Sequence, residues 1–280
     1  MNMHEVASKT DRGVGDVLID SSAVRYSSGG KLVDALPPTT VRLSPGSFTA
    51  VIGPSGCGKS TLLNAIAGFV PLSDGVIIVD GKHVTKPSPD VGVVFQQYAL
   101  FPWFTAAGNV EFALRRFGMP AQERHRAVLS ALEEVGLADR AKSYPAQLSG
   151  GMRQRVALAR TLAGRPKVLL MDEPFGALDA QTRLAMQELL LRIWEARRTT
   201  VFFITHDVDE ALVLSDQVKV MSAAPGRFID SIDVTSPRPR SVEQIDDIYV
   251  ANRRRILRLL RHSDQTETVE AASNPAHSRH

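Results

Sequence analysis

The segment that most restricts the fold of this chain is residues 53–61, which read GPSGCGKST. This segment satisfies the pattern GxxxxGK[ST], and it lies between a β-branched run, TAVI, and a helical run, LLNAIAG. In such a strand–loop–helix unit, glycines allow the backbone to wrap its N–H groups around a phosphate chain. The sequence therefore predicts a nucleotide site on an α/β domain.

Each residue of this loop is a candidate contact for the nucleotide. Lys59 can reach the β and γ phosphates, and the Ser60 hydroxyl can hold Mg²⁺. Cys57 is either a reactive thiol or a small neutral filler of the loop. The candidate cofactor-binding residues here are Gly53, Pro54, Ser55, Gly56, Cys57, Gly58, Lys59, Ser60 and Thr61.

Composition limits the possible partners. The chain has 280 residues, of which 44% are hydrophobic, enough for one large core or two modest ones. Its formal net charge of +3 is small and its cations are scattered, so we expect no nucleic-acid partner. The single cysteine cannot form an internal disulfide, which is typical of a reducing compartment.

Membrane-directing segments are not evident in the sequence. The first seventeen residues contain no apolar stretch of the kind that a secretion signal needs. No apolar run approaches the roughly 18 residues required to cross a membrane. We therefore expect any membrane association to come through a partner protein.

Short β-branched runs alternate with helical stretches, which predicts an α/β fold with a largely parallel sheet. The predicted strands are 47–52, 75–80, 91–95, 167–172, 200–205 and 217–222. Between residues 98 and 165 the strands stop, and helices predicted at 124–135 and 153–163 indicate an inserted helical subdomain. We expect disordered ends at 1–17 and 262–280, a main domain at 18–235, and a linker and helix at 236–261.

Two carboxylates end the predicted strand KVLLMD in the segment KVLLMDEP. The carboxyl ends of parallel strands are where α/β sheets bind their ligands. Asp172 suits the Mg²⁺ shell, and Glu173, on the opposite side of the strand, suits a base that polarises the attacking water.

Two further predicted strands end in polar residues that fit the same reaction. Gln96 follows the run VGVVF and could contact Mg²⁺ and the water, while His206 follows FFIT and could contact the γ phosphate. The alternative for each is an ordinary strand-end residue. We predict Glu173, His206, Gln96 and Lys59 as catalytic residues, and Ser60, Gln96 and Asp172 as metal ligands.

The segment LSGGM begins a predicted helix with two adjacent glycines, Gly150 and Gly151. Glycine costs about 1 kcal/mol relative to alanine inside a helix. At a helix start, glycines let an outside group approach the free N–H donors, and those donors suit an anion. The alternative is an ordinary loop before a helix capped by Ser149.

Six motifs, in the order GPSGCGKST, GVVFQ, LSGGMRQR, LLMDEP, GALDA and FFITHD, resemble those of the ATP-binding subunit of an ABC transporter. The resemblance covers about residues 18–235. It implies a P-loop NTPase fold of the ABC ATPase type, with a mixed sheet core and an inserted helical subdomain, that binds ATP and Mg²⁺.

The resemblance also implies that two subunits enclose two ATP molecules head to tail. Ser149, Gly150 and Gly151 would then hold the γ phosphate bound to the opposite subunit. Asp179, in GALDA, matches the D-loop of the family, Gln96 its Q-loop and His206 its switch histidine. Tyr26 matches the aromatic residue that stacks on adenine.

Within the family, residues 96–114, DEPFGALDAQTR and SAAPGRFID resemble importers of taurine, alkanesulfonates, nitrate and similar small anions. Phe101 and Trp103 lie where such subunits receive a helix of the membrane partner, with core packing as the alternative. Met152 replaces the glutamine usual in LSGGQ, and Gly176 replaces the common serine before ALD.

We therefore expect an ATPase subunit of a bacterial importer, peripheral at the cytoplasmic face of the inner membrane. Its expected partners are a second copy of the chain, transmembrane permease subunits and, indirectly, a solute-binding protein. A soluble ABC ATPase in translation or DNA repair is one alternative. A non-hydrolysing regulatory nucleotide binder is another, suggested by Met152.

Overall fold

The structure is a computed structural model that describes residues 14–28, 31–240 and 246–272. Its strands are β1 Val17–Ser28, β2 Lys31–Leu43, β3 Phe48–Ile52, β4 Asp74–Val79, β5 Lys82–His83, β6 Val91–Val94, β7 Val168–Asp172, β8 Thr200–Ile204, β9 Gln217–Met221 and β10 Phe228–Asp233. Its helices are α1 Lys59–Ile66, α2 Ala106–Leu114, α3 Ala121–Glu134, α4 Gly150–Ala163, α5 Ala180–Arg197, α6 Val208–Leu214 and α7 Asp247–Ala272.

A six-stranded sheet, in the order β10-β9-β3-β8-β7-β6, forms the centre of the fold. Strands β6, β7, β8, β3 and β9 are parallel, and β10 pairs antiparallel with β9 at one edge. Strands β3 and β8 are buried along their whole length, as expected for parallel strands covered on both faces. Their carboxyl ends meet at one edge of the sheet.

A second sheet, in the order β2-β1-β4-β5, is antiparallel throughout. Strand β1 contains a bulge, marked by a register shift between Asp20 and Ala23 in its pairing with β4 and by a left-handed backbone at Ser21. Pro37 and Pro38 lie in β2, which is an edge strand and therefore tolerates residues without an N–H donor.

Helix α1 lies between the two sheets. Its Leu62, Leu63 and Ile66 belong to one apolar cluster with Val17 and Ile19 of the antiparallel sheet and with alternate residues of β7 and β8. The other face of the six-stranded sheet packs against α2, α4, α5 and α6 in a second cluster. This sandwich fixes the loop before α1 relative to the parallel strand ends.

Between β6 and β7 the chain is helical, with α2, α3 and α4 packed on one another. The Thr105 hydroxyl caps α2 by accepting a hydrogen bond from Gly108 N at 3.1 Å. Within the ranges that the structure describes, no helix combines the length and the apolar character needed to cross a membrane.

The predicted fold class is confirmed, and the six predicted strands are all present, although the strand predicted at 75–80 belongs to the antiparallel sheet as β4. Two predicted boundaries need correction. Val17, expected in a disordered segment, is fully buried at the start of β1; residues 1–13 lie outside the described ranges. The tail expected from residue 262 is helical as far as Ala272, because its sequence contains strong helix formers such as Glu, Gln and Ala.

Candidate active site

The loop of residues 53–58 connects β3 to α1, and its glycines are required by the backbone. Gly56 and Gly58 have φ angles of +77° and +98°, in the left-handed region that favours glycine. A Cβ atom at Gly58 would lie 2.6 Å from the carbonyl oxygen of Ala35, and one at Gly53 would lie 2.9 Å from that of Met221. The loop is therefore held tightly between the antiparallel sheet and the end of β9.

Helix α1 begins with an open N-terminus. Its N-cap residue, Gly58, has no side chain to accept from the first N–H groups, so these donors and the positive end of the helix dipole are available to an anion. Lys59 is buried, and its Nζ donates to the carbonyl oxygens of Gly53 at 2.8 Å and Pro54 at 2.6 Å. A positive charge therefore lies within the curve of the loop.

Cys57 packs as a filler of this loop. Its side chain is buried in the apolar cluster around α1, and its Sγ lies 3.6 Å from Lys59 Nζ. The loop after β9 approaches so closely that a Cβ atom at Gly226 would overlap the carbonyl oxygen of Cys57. Gly226 was not predicted as a site residue, because nothing in its local sequence reveals this tertiary contact.

The carboxylate of Asp172, at the end of β7, lies beside the start of α1. Its Oδ1 accepts a hydrogen bond from Ser60 Oγ at 3.1 Å. Burial raises the pKa of Asp172, and the neighbouring Glu173 carboxylate acts in the same direction, whereas the Ser60 hydrogen bond and the Lys59 charge oppose both. A cation at this position would relieve the cost of the buried carboxylate.

Glu173 and His206 are brought together at the ends of β7 and β8. Glu173 has a left-handed backbone with φ +43°, and its N–H donates to the Ile204 carbonyl at 3.0 Å. Its Oε2 lies 3.1 Å from His206 Nδ1, and the histidine side chain is 68% exposed. An unusual backbone conformation therefore turns the carboxylate toward the histidine at the open edge of the sheet.

Gln96 follows β6, and its side chain converges on the same place. A Cβ atom at Gly176 would lie 3.7 Å from Gln96 Nε2 and 3.9 Å from Glu173 Oε2. Gln96 is exposed. The structure therefore brings Gln96, Glu173 and His206 together beside the Lys59, Ser60 and Asp172 group.

The glycines at the start of α4 have a different structural basis. Ser149 is the N-cap, and its exposed Oγ accepts a hydrogen bond from Met152 N at 3.3 Å. A Cβ atom at Gly151 would lie 2.4 Å from Thr182 Cγ2. Gly151 therefore has a packing reason that was not predicted, because it is buried against α5, whereas a Cβ at Gly150 would meet Tyr98 Oη at 3.2 Å. The contact of both glycines with the γ phosphate on the opposite subunit stays a prediction.

Asp179 begins α5 beside this helix start. It is the N-cap of α5, and its Oδ1 accepts from Thr182 N at 3.0 Å. Hydrogen bonds from the first turn of the helix, that from Thr182 above all, lower the pKa of Asp179. Thr182 thus contacts both Gly151 and Asp179, which places Asp179 next to the start of α4.

Met152, which replaces the usual glutamine, packs its side chain against the apolar core around α4. The N–H of the same residue donates to Ser149. The substitution therefore changes a side chain that contributes to core packing and leaves the backbone donors of the helix start in place.

Tyr26 lies in β1, on the sheet that contacts the phosphate loop. It pairs with Val33 across the hairpin, two residues from Ala35, whose carbonyl oxygen is close to Gly58. Its side chain is 45% exposed. An exposed aromatic ring is therefore available on this side of the loop.

A buried polar network, not predicted from the sequence, holds the loop that carries His206. Thr205 Oγ1 donates to Glu210 Oε2 at 2.6 Å and accepts from Asp207 N at 3.0 Å. Arg183 lies 3.8 Å from Glu210 Oε1 and donates to the Leu178 carbonyl at 3.1 Å. Glu210, one of three acidic residues in the segment HDVDEA, was the available signal, but its burial could not be read from helical periodicity.

An exposed aromatic patch follows the Gln96 segment. It consists of Phe101, Trp103, Phe104 and Phe112, with ring centroids 4.7 to 6.2 Å apart. Trp103 is 66% exposed. The buried Asn109 side chain fixes the patch by accepting from Phe101 N and donating to the carbonyls of Phe101, Phe104 and Thr105.

A family model and individual relatives both match this chain, and they identify the same family. The model of the ABC transporter family matches residues 36–176. The chain is 51% identical over 212 residues to the taurine import ATP-binding protein of Rhizobium johnstonii, covering 76% of this chain and 80% of that protein. It is 47% identical over 225 residues to the aliphatic sulfonates import ATP-binding protein of Bacillus cereus, covering 80% and 88%.

A solved structure is also similar. It is an ATP-binding cassette in a dimeric, post-hydrolysis state bound to ADP and Pi, with a TM-score of 0.70 and 31% sequence identity. The match covers 79% of this chain and 100% of that one.

Proposed function

Because this chain belongs to the ABC transporter family and is an ATP-binding ATPase of that family, we propose that it powers the import of a small anionic solute. The observation that carries the ATP-hydrolysing role is the set of contacts at one sheet edge. There, Lys59 lies inside the phosphate loop, Ser60 contacts Asp172, and Glu173 contacts His206.

Glu173 is the residue that orients or deprotonates the attacking water, since it is the carboxylate at the open edge and the histidine holds it in place. Lys59 and the N–H groups of the loop bind the β and γ phosphates, and His206 contacts the γ phosphate. Gln96, beside Glu173 and Gly176, contacts the water. Catalysis of this kind consists of positioning and electrostatic stabilisation.

Ser60 and Asp172 fit a magnesium ion bound together with the nucleotide. A hydroxyl and a carboxylate oxygen 3.1 Å apart are hard donors of the kind that Mg²⁺ prefers. The side-chain oxygen of Gln96 would supply a further ligand. Mg²⁺ held there would neutralise negative charge on the phosphates.

The second half of each ATP site is proposed to come from a second copy of the chain. The start of α4 combines the exposed Ser149 with the half-buried Gly150, an arrangement that suits the γ phosphate of a nucleotide on another subunit. Asp179, adjacent through Thr182, lies at the same surface. The dimeric state of the similar cassette structure supports this arrangement.

The solute and the other partners are inferred from the relatives. Two of these are named for taurine and for aliphatic sulfonates, so we infer a sulfonate or a similar small anion such as nitrate. Permease subunits would bind the aromatic patch at the cytoplasmic face of the inner membrane, and a solute-binding protein would deliver the solute. Tyr26 is proposed to stack on adenine.

Transport itself tests this function. The chain, purified with the membrane proteins that bind it, would be reconstituted into vesicles and supplied with labelled taurine, an alkanesulfonate or nitrate. We expect ATP-dependent uptake of at least one of these anions, abolished by Glu173→Gln. Recovery of the chain with ribosomes or DNA instead of membrane subunits would contradict the proposal.

Docking of the permease is tested at the aromatic patch. Changing Trp103 and Phe112 to alanine should reduce recovery of the membrane subunits and leave ATP affinity unchanged, because neither ring contacts the phosphate loop. Phe69→Ala is the matched control, since Phe69 is an exposed aromatic residue outside the patch. Equal recovery with both variants would place the docking surface elsewhere.

A further inference from the structure

The segment between Gln96 and the aromatic patch is attached to helix α4 by an arginine. Arg160 Nη1 donates to the carbonyl oxygen of Ala99 at 2.6 Å, and Nη2 donates to that of Tyr98 at 3.3 Å. Burial lowers the pKa of Arg160. A half-buried guanidinium therefore holds two consecutive carbonyls of a loop, a geometry that a single ammonium group could not reproduce.

Two more residues of α4 contact the same segment. The guanidinium carbon of Arg153 lies 5.5 Å from the centre of the Tyr98 ring. The Tyr98 hydroxyl lies 3.2 Å from where a Cβ atom of Gly150 would be. Positions 150, 153 and 160 are three and seven residues apart, so they share one face of the helix.

The segment is also strained. Ala99 has φ +45°, a conformation that residues with a side chain rarely adopt. Such a conformation persists where the surrounding contacts determine it. The two hydrogen bonds from Arg160 lie on both sides of the strained residue, and we call this arrangement the Arg160 clamp.

The clamp joins elements with different predicted roles. Gln96, three residues before Ala99, lies beside Glu173 of the chain's own ATP site. Ser149 and Gly150, at the start of the clamped helix, are proposed to contact the ATP bound to the other subunit. A shift of Gln96 would therefore be transmitted to the helix start at Ser149 through Tyr98 and Arg160. A shift of that helix start would be transmitted to Gln96 in the same way.

We propose that Arg160 is a positioning residue that makes the state of one ATP site depend on the other, by fixing the Gln96 segment to the helix start at Ser149. This inference rests on the proposed dimer. It predicts that loss of the clamp uncouples the two sites and leaves nucleotide binding by the phosphate loop intact.

The experiment measures the ATP dependence of steady-state hydrolysis by the purified full-length chain, and ATP affinity separately at concentrations where the chain is monomeric. For the wild type we expect a Hill coefficient clearly above 1 and no greater than about 2, since two coupled sites set the upper limit. Arg160→Met should bring the coefficient to about 1 and lower kcat about tenfold, with unchanged ATP affinity. Ala99→Gly, which relieves the strain and leaves the Arg160 guanidinium in place, should lower the coefficient in the same direction.

Arg155→Met is the matched control. Arg155 lies on the same helix and also donates to a loop carbonyl, that of Val135 at 3.2 Å, but that loop carries no predicted site residue. Wild-type cooperativity in this variant supports the proposal, and equal loss in it would overturn the proposal by showing general loosening of α4. If Arg160→Met fails to fold, Ala99→Gly decides.

Unchanged cooperativity in folded Arg160→Met and Ala99→Gly would overturn the inference and leave the proposed function standing. A wild type that hydrolyses ATP without any dependence on protein concentration would instead overturn the dimer, and the inference with it.

Discussion

Two helices of this protein begin at glycine-rich segments, and their first turns are built differently. Helix α1 follows Gly58, whose left-handed backbone leaves the first N–H groups without a side-chain cap. Helix α4 follows Ser149, which caps Met152 N, and its first two residues are glycines in helical conformation. The first helix start contains Lys59 and contacts Asp172 of its own chain through Ser60, whereas the second follows the exposed Ser149.

The difference between these two helix starts shows that glycine can be required for more than one structural reason. In the phosphate loop, glycine is required by φ angle and by the approach of neighbouring carbonyls. At α4, Gly151 is required by contact with Thr182, whereas Gly150 lies beside the Tyr98 hydroxyl and follows the exposed Ser149. We therefore expect changes at α1 to affect nucleotide binding by one chain, and changes at α4 to affect the assembled site.

The largest effect is expected from Glu173→Gln. ATP should bind normally, because the phosphate loop is untouched, but turnover should fall about 10² to 10⁴-fold through loss of the base. Steady-state ATPase and an ATP titration measure the two quantities. Near-normal turnover would show that Glu173 is not the catalytic base.

The next largest effect is expected from Gly150→Asp, which puts a carboxylate where a phosphate is proposed to bind. Turnover should fall about 10² to 10³-fold, comparable to the loss of an electrostatic donor, while ATP affinity of the monomer stays unchanged. Gly150→Ala is the control, since it adds the same Cβ near Tyr98 without charge. If both variants lose activity equally, steric disruption explains the result and the anion site at α4 is wrong.

A smaller effect is expected from Lys59→Met, and here the change is in ATP binding by the monomer. Loss of a charge-assisted contact to the phosphates should weaken ATP binding by the monomer about 10 to 100-fold. A nucleotide titration of the isolated chain checks this. An unchanged dissociation constant for ATP would show that Lys59 does not contact the nucleotide. It would also remove the expected difference between the two helix starts.

The smallest effect is expected from Met152→Gln. The donors of the α4 start are Ser149 and backbone N–H groups, and the Met152 side chain packs against the core, so the change adds at most one neutral hydrogen bond of about 0.5 to 1.5 kcal/mol. ATPase activity should change by less than about tenfold. Activation by about a hundredfold or more would instead support a regulatory nucleotide binder.

The sequence predicted those parts of the molecule in which chemistry and local pattern coincide. A strand, a glycine-rich loop and a helix follow one another around Lys59, and carboxylates end the apolar run of β7, so both were visible without tertiary information. The long hairpin was missed because the bulge at Ser21 and the prolines of β2 interrupt its alternation.

Contacts distant in sequence account for the rest. Gly226 is required by Cys57, Gly151 by Thr182, and the strained backbone of Ala99 is held by Arg160. Each pair is joined by the packing of separate elements, which local propensity and spacing do not encode. The burial of Glu210 under the His206 loop is another such case.

The central claim, that each ATP site is completed by a second chain, is tested most directly by ATPase turnover per chain as a function of protein concentration. Sedimentation measured in parallel defines the range in which the chain is monomeric. Over that range we predict that turnover per chain rises with concentration and then levels off as dimers form. A turnover per chain that stays constant across the same range would contradict the shared site.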